Sequence, residues 1–595
     1  MEEGLHPVVK SARAAIDVSI SYVSNFWDDY LRLYGYWRLQ KPAVLSKSYS
    51  KISLNLFHSM VQEKIAKTYA NAFSTSDHVS LEAEDPVGEA FTDPAQMWLR
   101  DLLTNKISIQ HTIMSTLQSV MIGGSGFRMP TVDFVKSGGK WTRQIGCRNV
   151  DFFNVLPSPG GGRVNAFDND NSNSLDWVFI IDWWSEDKLK ALAKNGNLDE
   201  KAVGRMLDNH PDRNWPEEQY KNEYDEIGSV QYGGVAGSRA TLRGVDFVPQ
   251  KRRIVHWFLR DKWYIIGEDA FLLREADPPL GKGIIPLANY QITPDLSNFM
   301  GISYLQMIED LVNATQMLFN YRMDGTLTAL HPSTWIDDRI LRGKAISSFR
   351  PRPFATHQFP GAQIPDISKA VFHDRGPVIP NQAWLEEDRM KAFLQKVAGM
   401  SETTSSLGDV VGNKTAGGTM AILSELEGRS NMESSILEYR GLREECKLLL
   451  LAAKKFRTAP SFVRTPSSKN EFPWSRIDPE VFQHSFTVST HGTRYLSEKN
   501  AKFQKLLALY PYWNGLPDVW DTYELNKQTA EVADCLPNPN KALKPAQTSA
   551  PQPQPPQAEQ RPGGLASSMD VRQGEESAGR EAQKRSAEPT AAMAV

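Results

Sequence analysis

The sequence is poor in cysteine, with three in 595 residues, at Cys147, Cys446 and Cys535. They are too few and too far apart for a disulfide framework or a cysteine-based zinc site, and are expected to be small buried hydrophobes. Long apolar runs are missing too. The longest near the helical segments, Leu448 to Ala453, falls far short of the roughly 20 residues that a membrane-spanning helix needs. Charge of one sign is not in excess: 67 Lys and Arg face 70 Asp and Glu, for a formal net charge of −3. That balance excludes a histone-like DNA coat but not a local basic patch. Met-Glu-Glu-Gly at the N-terminus has neither a basic n-region nor an apolar h-region, so no signal peptide is expected.

Catalytic motifs are equally scarce. No Gly-x-x-x-x-Gly-Lys-Ser/Thr occurs; Gly281-Lys282-Gly283 lacks the upstream glycine and the hydroxyl that would hold magnesium. His-Glu-x-x-His and Gly-x-Ser-x-Gly are absent, and none of the 11 histidines pairs at metal-ligand spacing. Glu309 and Asp310 are adjacent, but neighbours on a helix diverge by about 100°. No catalytic, metal or cofactor residue is therefore expected. The chain reads as a structural protein and not an enzyme.

The pattern that is present is α+β. Residues 1 to about 125 read as helical, with apolar stripes over Ser46–Ser74 and Trp98–Met121, the second stopped by Gly123-Gly124-Ser125-Gly126. Strand-like runs follow at Phe127–Phe134, Phe152–Leu156, Trp177–Trp184, Lys251–Ile266 and Ala270–Arg274. Between them, 186–209 reads as a short helix. The polar, Gly-rich stretch 209–244 reads as an exposed insertion.

A regular helix is expected over Ile302–Met323. It carries Tyr304, Ile308, Leu311, Thr315 and Leu318 on one face and Gln306, Glu309, Asp310, Asn313, Gln316 and Asn320 on another. Residues 325–380 lose that periodicity and hold seven Lys and Arg against four Asp. Helical patterns return at Trp384–Met400 and Met420–Phe456, separated by the Ser-, Thr- and Gly-rich 401–418. Val481–Ser489 alternates as a strand and Ser497–Tyr510 reads as helix. No aromatic residue follows Tyr523. From about 538 the Pro-, Gln- and Ala-rich tail cannot bury enough surface to fold and is expected to be disordered.

Two helices flanking a Pro-rich basic module, then a loop and a longer helix, resemble the portal proteins, or head–tail connectors, of short-tailed bacteriophages. The likeness runs in order over roughly residues 20–535. Asp151-Phe152-Phe153-Asn154-Val155-Leu156-Pro157-Ser158-Pro159 resembles the family's strand ending in a proline loop. Gly301-Ile302-Ser303-Tyr304 through Asn320 resembles its glycine-led stem helix. Asn413-Lys414-Thr415-Ala416 resembles the start of its long helix, and Phe486 to Leu506 its segment near the crown. Gly417-Gly418 departs from the family pattern, where bulkier or charged residues are common.

The resemblance implies a portal fold. Residues 1–297 would form a helical and β wing, 298–323 and 381–400 a two-helix stem, and 324–380 a clip. A tunnel loop would span 401–414, the long helix and returning wing strand 415–490, a helical crown 491–537 and the tail 538–595. It implies a homo-oligomeric ring, a dodecamer in most of the family, at a capsid vertex of the virion, made in the host cytoplasm. Double-stranded DNA would pass through its channel during packaging and ejection. The partners implied are the terminase large subunit, tail adaptor, capsid and scaffolding proteins, with no membrane and no cofactor. The candidate DNA contacts are Lys414, Arg339, Arg342, Lys344, Arg350 and Arg352. The candidates for packing between subunits are Tyr304, Ile308, Leu311, Leu318 and Trp384. The alternatives are another virion structural or tail protein, or a DNA-processing enzyme.

Overall fold

A computed structural model describes residues 5–42, 50–73, 78–137, 140–165, 174–209, 215–230, 251–295, 297–330, 334–336, 371–373, 381–399, 429–464 and 474–490, with isolated residues elsewhere up to 529. All of them lie in one compact unit, Met1–Pro539. The fold mixes helix and antiparallel sheet.

Helix α1 (Pro7–Trp37) opens the chain. His6 caps it by accepting from the Val8 amide at 3.3 Å, and Pro7 occupies the first turn, where no backbone donor is needed. Val9, Ala12, Ile16, Val23, Trp27 and Tyr30 recur on its buried face. Helix α2 (Leu56–Phe73), strand β1 (Val79–Ala83), α3 (Glu89–Asp101) and α4 (Ile109–Gly123) follow. The single helix expected over Trp98–Met121 is two. A π turn at Leu102–Lys106 widens the backbone, and Ser108 takes the left-handed conformation, φ 51°, which redirects the chain. Gly124 ends α4 at φ +78°, and a Cβ there would stand 2.0 Å from the Gly301 carbonyl oxygen. Two chain crossings meet backbone to backbone at that point, so both positions need glycine.

Strands β2 (Gly126–Ser137) and β3 (Lys140–Val150) form a long hairpin. β3 was not expected from the sequence. Strand β4 (Val155–Pro157) enters a five-stranded sheet with β5 (Trp177–Ser185), β6 (Lys251–Leu259), β7 (Trp263–Gly267) and β8 (Phe271–Ala276) in the order β4-β5-β6-β7-β8. Ile254 and Ile265 pack under helices α5 (Glu186–Lys194) and α6 (Glu200–Asp208), whereas Val255, Trp257 and Ile266 join the main core. Helix α7 (Pro216–Val230) corrects the exposed-insertion expectation for 209–244 over its described part. Tyr220 and Tyr224 pack on Trp27, Tyr34 and Phe153, Arg38 donates to the Gly228 carbonyl, and Glu217 pairs with Arg253 inside the core.

Strand β9 (Ala288–Tyr290) completes the sheet β3-β2-β9. Helix α8 (Tyr304–Leu330) runs beyond its expected end at 323. Past Gly325, the Thr326 and Thr328 hydroxyls bond back to the Arg322 and Asp324 carbonyls at 2.9 and 2.8 Å. Strands β10 (Thr334–Ile336) and β11 (Val371–His373) pair antiparallel, and α9 (Asn381–Ala398) follows. Helical residues 429–437, a π turn at Glu438–Leu442 and α10 (Arg443–Phe456) run continuously. Strands β12 (Ser461–Arg464) and β13 (Trp474–Ile477) pair, and β14 (Phe486–Thr490) returns to pair with β1. Among the described residues no helix is long and apolar enough to cross a membrane.

One polar cluster joins neighbouring strands β5 and β6 of the five-stranded sheet to Arg148 of β3. Arg148 donates to Asp182 at 2.7 Å, and His256 Nε2 lies 3.4 Å from the same carboxylate oxygen. Burial alone would raise the Asp182 carboxyl; the His256 ring and the Arg148 guanidinium outweigh it and hold it well below the usual carboxylate range. A depressed carboxyl stabilises the fold above its unfolded value, near 4, and that stability is lost as pH falls toward the folded value. Asp182→Asn is expected to lower stability by about 1.5–3 kcal/mol at pH 7. Urea unfolding should show the gap from the parent chain closing below about pH 4; a gap unchanged there would mean the carboxylate charge is not what stabilises the site.

Candidate functional site

The sequence-expected helices α8 and α9 form an antiparallel pair. At one end the Tyr304 hydroxyl donates to the Ala398 carbonyl at 3.4 Å. At the other, Arg322 Nε lies 3.0 Å from Glu387 Oε2, and its guanidinium stacks 3.8 Å over the Trp384 ring. Leu394 and Ala398 are buried between them. The pair is thus zipped by an apolar seam with a cation–aromatic lock where the chain departs toward β10.

The polar face of α8 does not stay together. Gln306 and Asp310 are exposed, but Gln316 and Asn320 are buried. Asn320 accepts from the Ile52 amide and donates to the Ile52 carbonyl, both at 2.7 Å, as a strand partner would. Asp324 accepts from the Ser50 amide at 2.8 Å. These groups bind the segment before α2 onto the helix. Glu309 is paired with Arg32 of α1. Among the described residues no group of three or more His, Cys, Asp or Glu side chains is placed to hold a metal ion.

The packing candidates divide as well. Tyr304 and Ile308 are buried in the chain's own core, and burial pushes the Tyr304 phenol up. Their apolar surface is buried within one chain. Leu311 and Leu318 are half-buried, and Trp384 remains 53% exposed. The basic candidates Lys414, Arg339, Arg342, Lys344, Arg350 and Arg352 lie outside the described residues, as do 401–414 and most of 491–537.

No protein-family model matches the chain, and no curated protein matches it. The reading of the site therefore rests on what its surface exposes.

The sequence reading missed the outer face of α9. Leu385 and Phe393 are each 57% exposed and Val397 is 37% exposed. They stand eight and four residues apart, which places them along one side of the helix. On α8, Tyr321, Leu327 and Leu330 are also exposed. Their spacing was visible in the sequence, but which side of α9 meets α8 was not. Single exposed apolar residues are ordinary; a stripe along one helix is a surface for association. Its groups are aliphatic and aromatic, so it can dock another surface but supplies no nucleophile, acid or base.

Proposed function

We propose that this chain is a portal protein, a subunit of a ring at a capsid vertex through which double-stranded DNA is packaged and ejected. The observation that carries the reading is the uncovered apolar stripe of α9 on an antiparallel helix pair that brackets the basic stretch 331–380. In a ring, each subunit would lay this stripe against the next one, a head-to-tail contact that closes by rotation. The pair would be the stem, with its first helix extended to Leu330, and the basic stretch between would be the clip. Lys414 and the clip arginines would meet phosphate as sparse, sequence-blind contacts, which suits DNA that must slide. Terminase and tail adaptors would dock on the ring's two ends.

Leu385→Asp and Phe393→Asp place a charge in the proposed contact while leaving the chain's own core untouched. Each is expected to convert rings into monomers, read by light scattering and negative-stain images of the purified protein. A parent chain that is itself monomeric or filamentous overturns the ring, and rings of normal size in both variants overturn this face as the contact.

A further inference from the structure

The helices α9 and 429–437 meet α2 at a buried charge cluster. Lys64 of α2 and Glu433 form an ion pair whose side chains are 2% and 7% exposed. Glu433 also accepts from Arg429 Nε at 3.1 Å, and Arg429 Nη1 donates to the Val397 carbonyl at 3.1 Å, one of the free carbonyls ending α9. Lys64 lies 5.4 Å from the centre of the Tyr304 ring, whose hydroxyl takes the Ala398 carbonyl. Asn71 of α2 reaches Ser430 Oγ and Asn431 Oδ1 at 3.2 and 3.3 Å. Gly399 closes α9 at φ +66°, with Arg429 and the Lys64 ammonium 3.5 and 3.6 Å from where a Cβ would stand.

We propose that Lys64, Glu433 and Arg429 form a clasp that fixes the end of α9 and helical residues 429–433 to α2, so that Gly399 and Arg429 are held at one point. The burial of the Lys64–Glu433 pair makes the clasp specific: removing one charge strands the other, which no solvent then compensates. Arg429 is the bridging member. It is half exposed, so it can release the Val397 carbonyl without leaving Glu433 unpaired, because Lys64 remains. Motion of α9 would then reach α2 and α10 through this cluster, whether or not the chain forms a ring.

The test is hydrogen exchange on the full chain, comparing amides 397–399 and 429–433 with amides in β5 and β6. Arg429→Met is expected to speed exchange at the clasp by about ten- to a hundredfold, the effect of losing charge-assisted hydrogen bonds, with β5 and β6 unchanged. Glu433→Gln should do more, and Lys64→Met combined with Glu433→Met should restore part of the protection by removing the stranded charge. Unchanged exchange at 397–399 in Arg429→Met overturns the clasp. So does acceleration spread equally over β5 and β6, since that is the signature of an ordinary core ion pair.

Discussion

Arg128→Met is expected to destabilise the fold by about 3–5 kcal/mol, the usual cost of stranding one member of a buried ion pair. Arg128 on β2 is fully buried, with Nε 2.9 Å from Glu445 Oε2 of α10, whose own side chain is 1% exposed. Tyr290 of β9 donates its hydroxyl to the same carboxylate oxygen at 2.5 Å, and Arg128 donates to Thr112 Oγ1 of α4 at 3.2 Å. One cluster thus joins a hairpin, a helix from each half of the chain and the third strand of a sheet. Burial raises the Tyr290 phenol well above its usual value, and the carboxylate beside it adds to the rise, so the phenol stays a donor. In Arg128→Met the Glu445 charge loses its cation and keeps the Tyr290 bond. Urea unfolding followed by tryptophan fluorescence measures the loss. Arg128→Met with Glu445→Met should lose less than Arg128→Met alone, because it strands no charge. A cost below about 1 kcal/mol for the single variant would mean that water reaches the carboxylate.

That cluster was not legible in the sequence, and the reason is general to this chain. Periodicity reports which face of a segment is apolar, and it marked helices at α2, α4, α8, α9 and α10, but it began α2 about ten residues early, fused the end of α3 with α4 and stopped α8 seven residues short. It does not report partners. Arg128 and Glu445 are separated by most of the chain, as are β1 and β14, whose pairing puts Val79 opposite Thr490. A five-residue strand is too short for alternation to stand out, even between the turn-favouring Ser74–Asp77 and Asp85–Gly88 stretches that flank it. Helix α7 was hidden by its polar composition and Gly-rich surroundings, although Tyr220 and Tyr224, one turn apart, were the trace of its buried side. The polar face of α8 was legible as a face. Its fate was not, because Gln316 and Asn320 are buried, and Asn320 finds backbone partners in a segment before α2. The α+β character was legible because aromatic and β-branched runs cluster between residues 127 and 276. The outer stripe of α9 was half legible: spacing marks the residues, but only the position of α8 decides which apolar side is left uncovered.

Gly441→Ala is expected to cost about 3 kcal/mol, the upper range for overpacking a filled core. Gly441 lies in the π turn ahead of α10, and its helical backbone would accept alanine. The obstacle is Tyr290. A Cβ at 441 would stand 2.1, 2.4 and 2.5 Å from three atoms of that ring, far inside contact distance. The ring is held by its hydroxyl bond to Glu445, which is itself paired with Arg128. Making room for one methyl would therefore disturb the whole buried cluster. Gly204 in α6 is the control, because nothing lies within 4 Å of a Cβ there. Gly204→Ala should stabilise by about 0.5–1 kcal/mol, through lower entropy of the unfolded chain. Thermal and urea unfolding of the two variants should move in opposite directions. Tyr290→Leu in the Gly441→Ala background should cost less than the sum of the two single changes, because the smaller side chain vacates the clashing volume. Additive costs would mean that the π turn shifts as a unit and that the ring is not the obstacle.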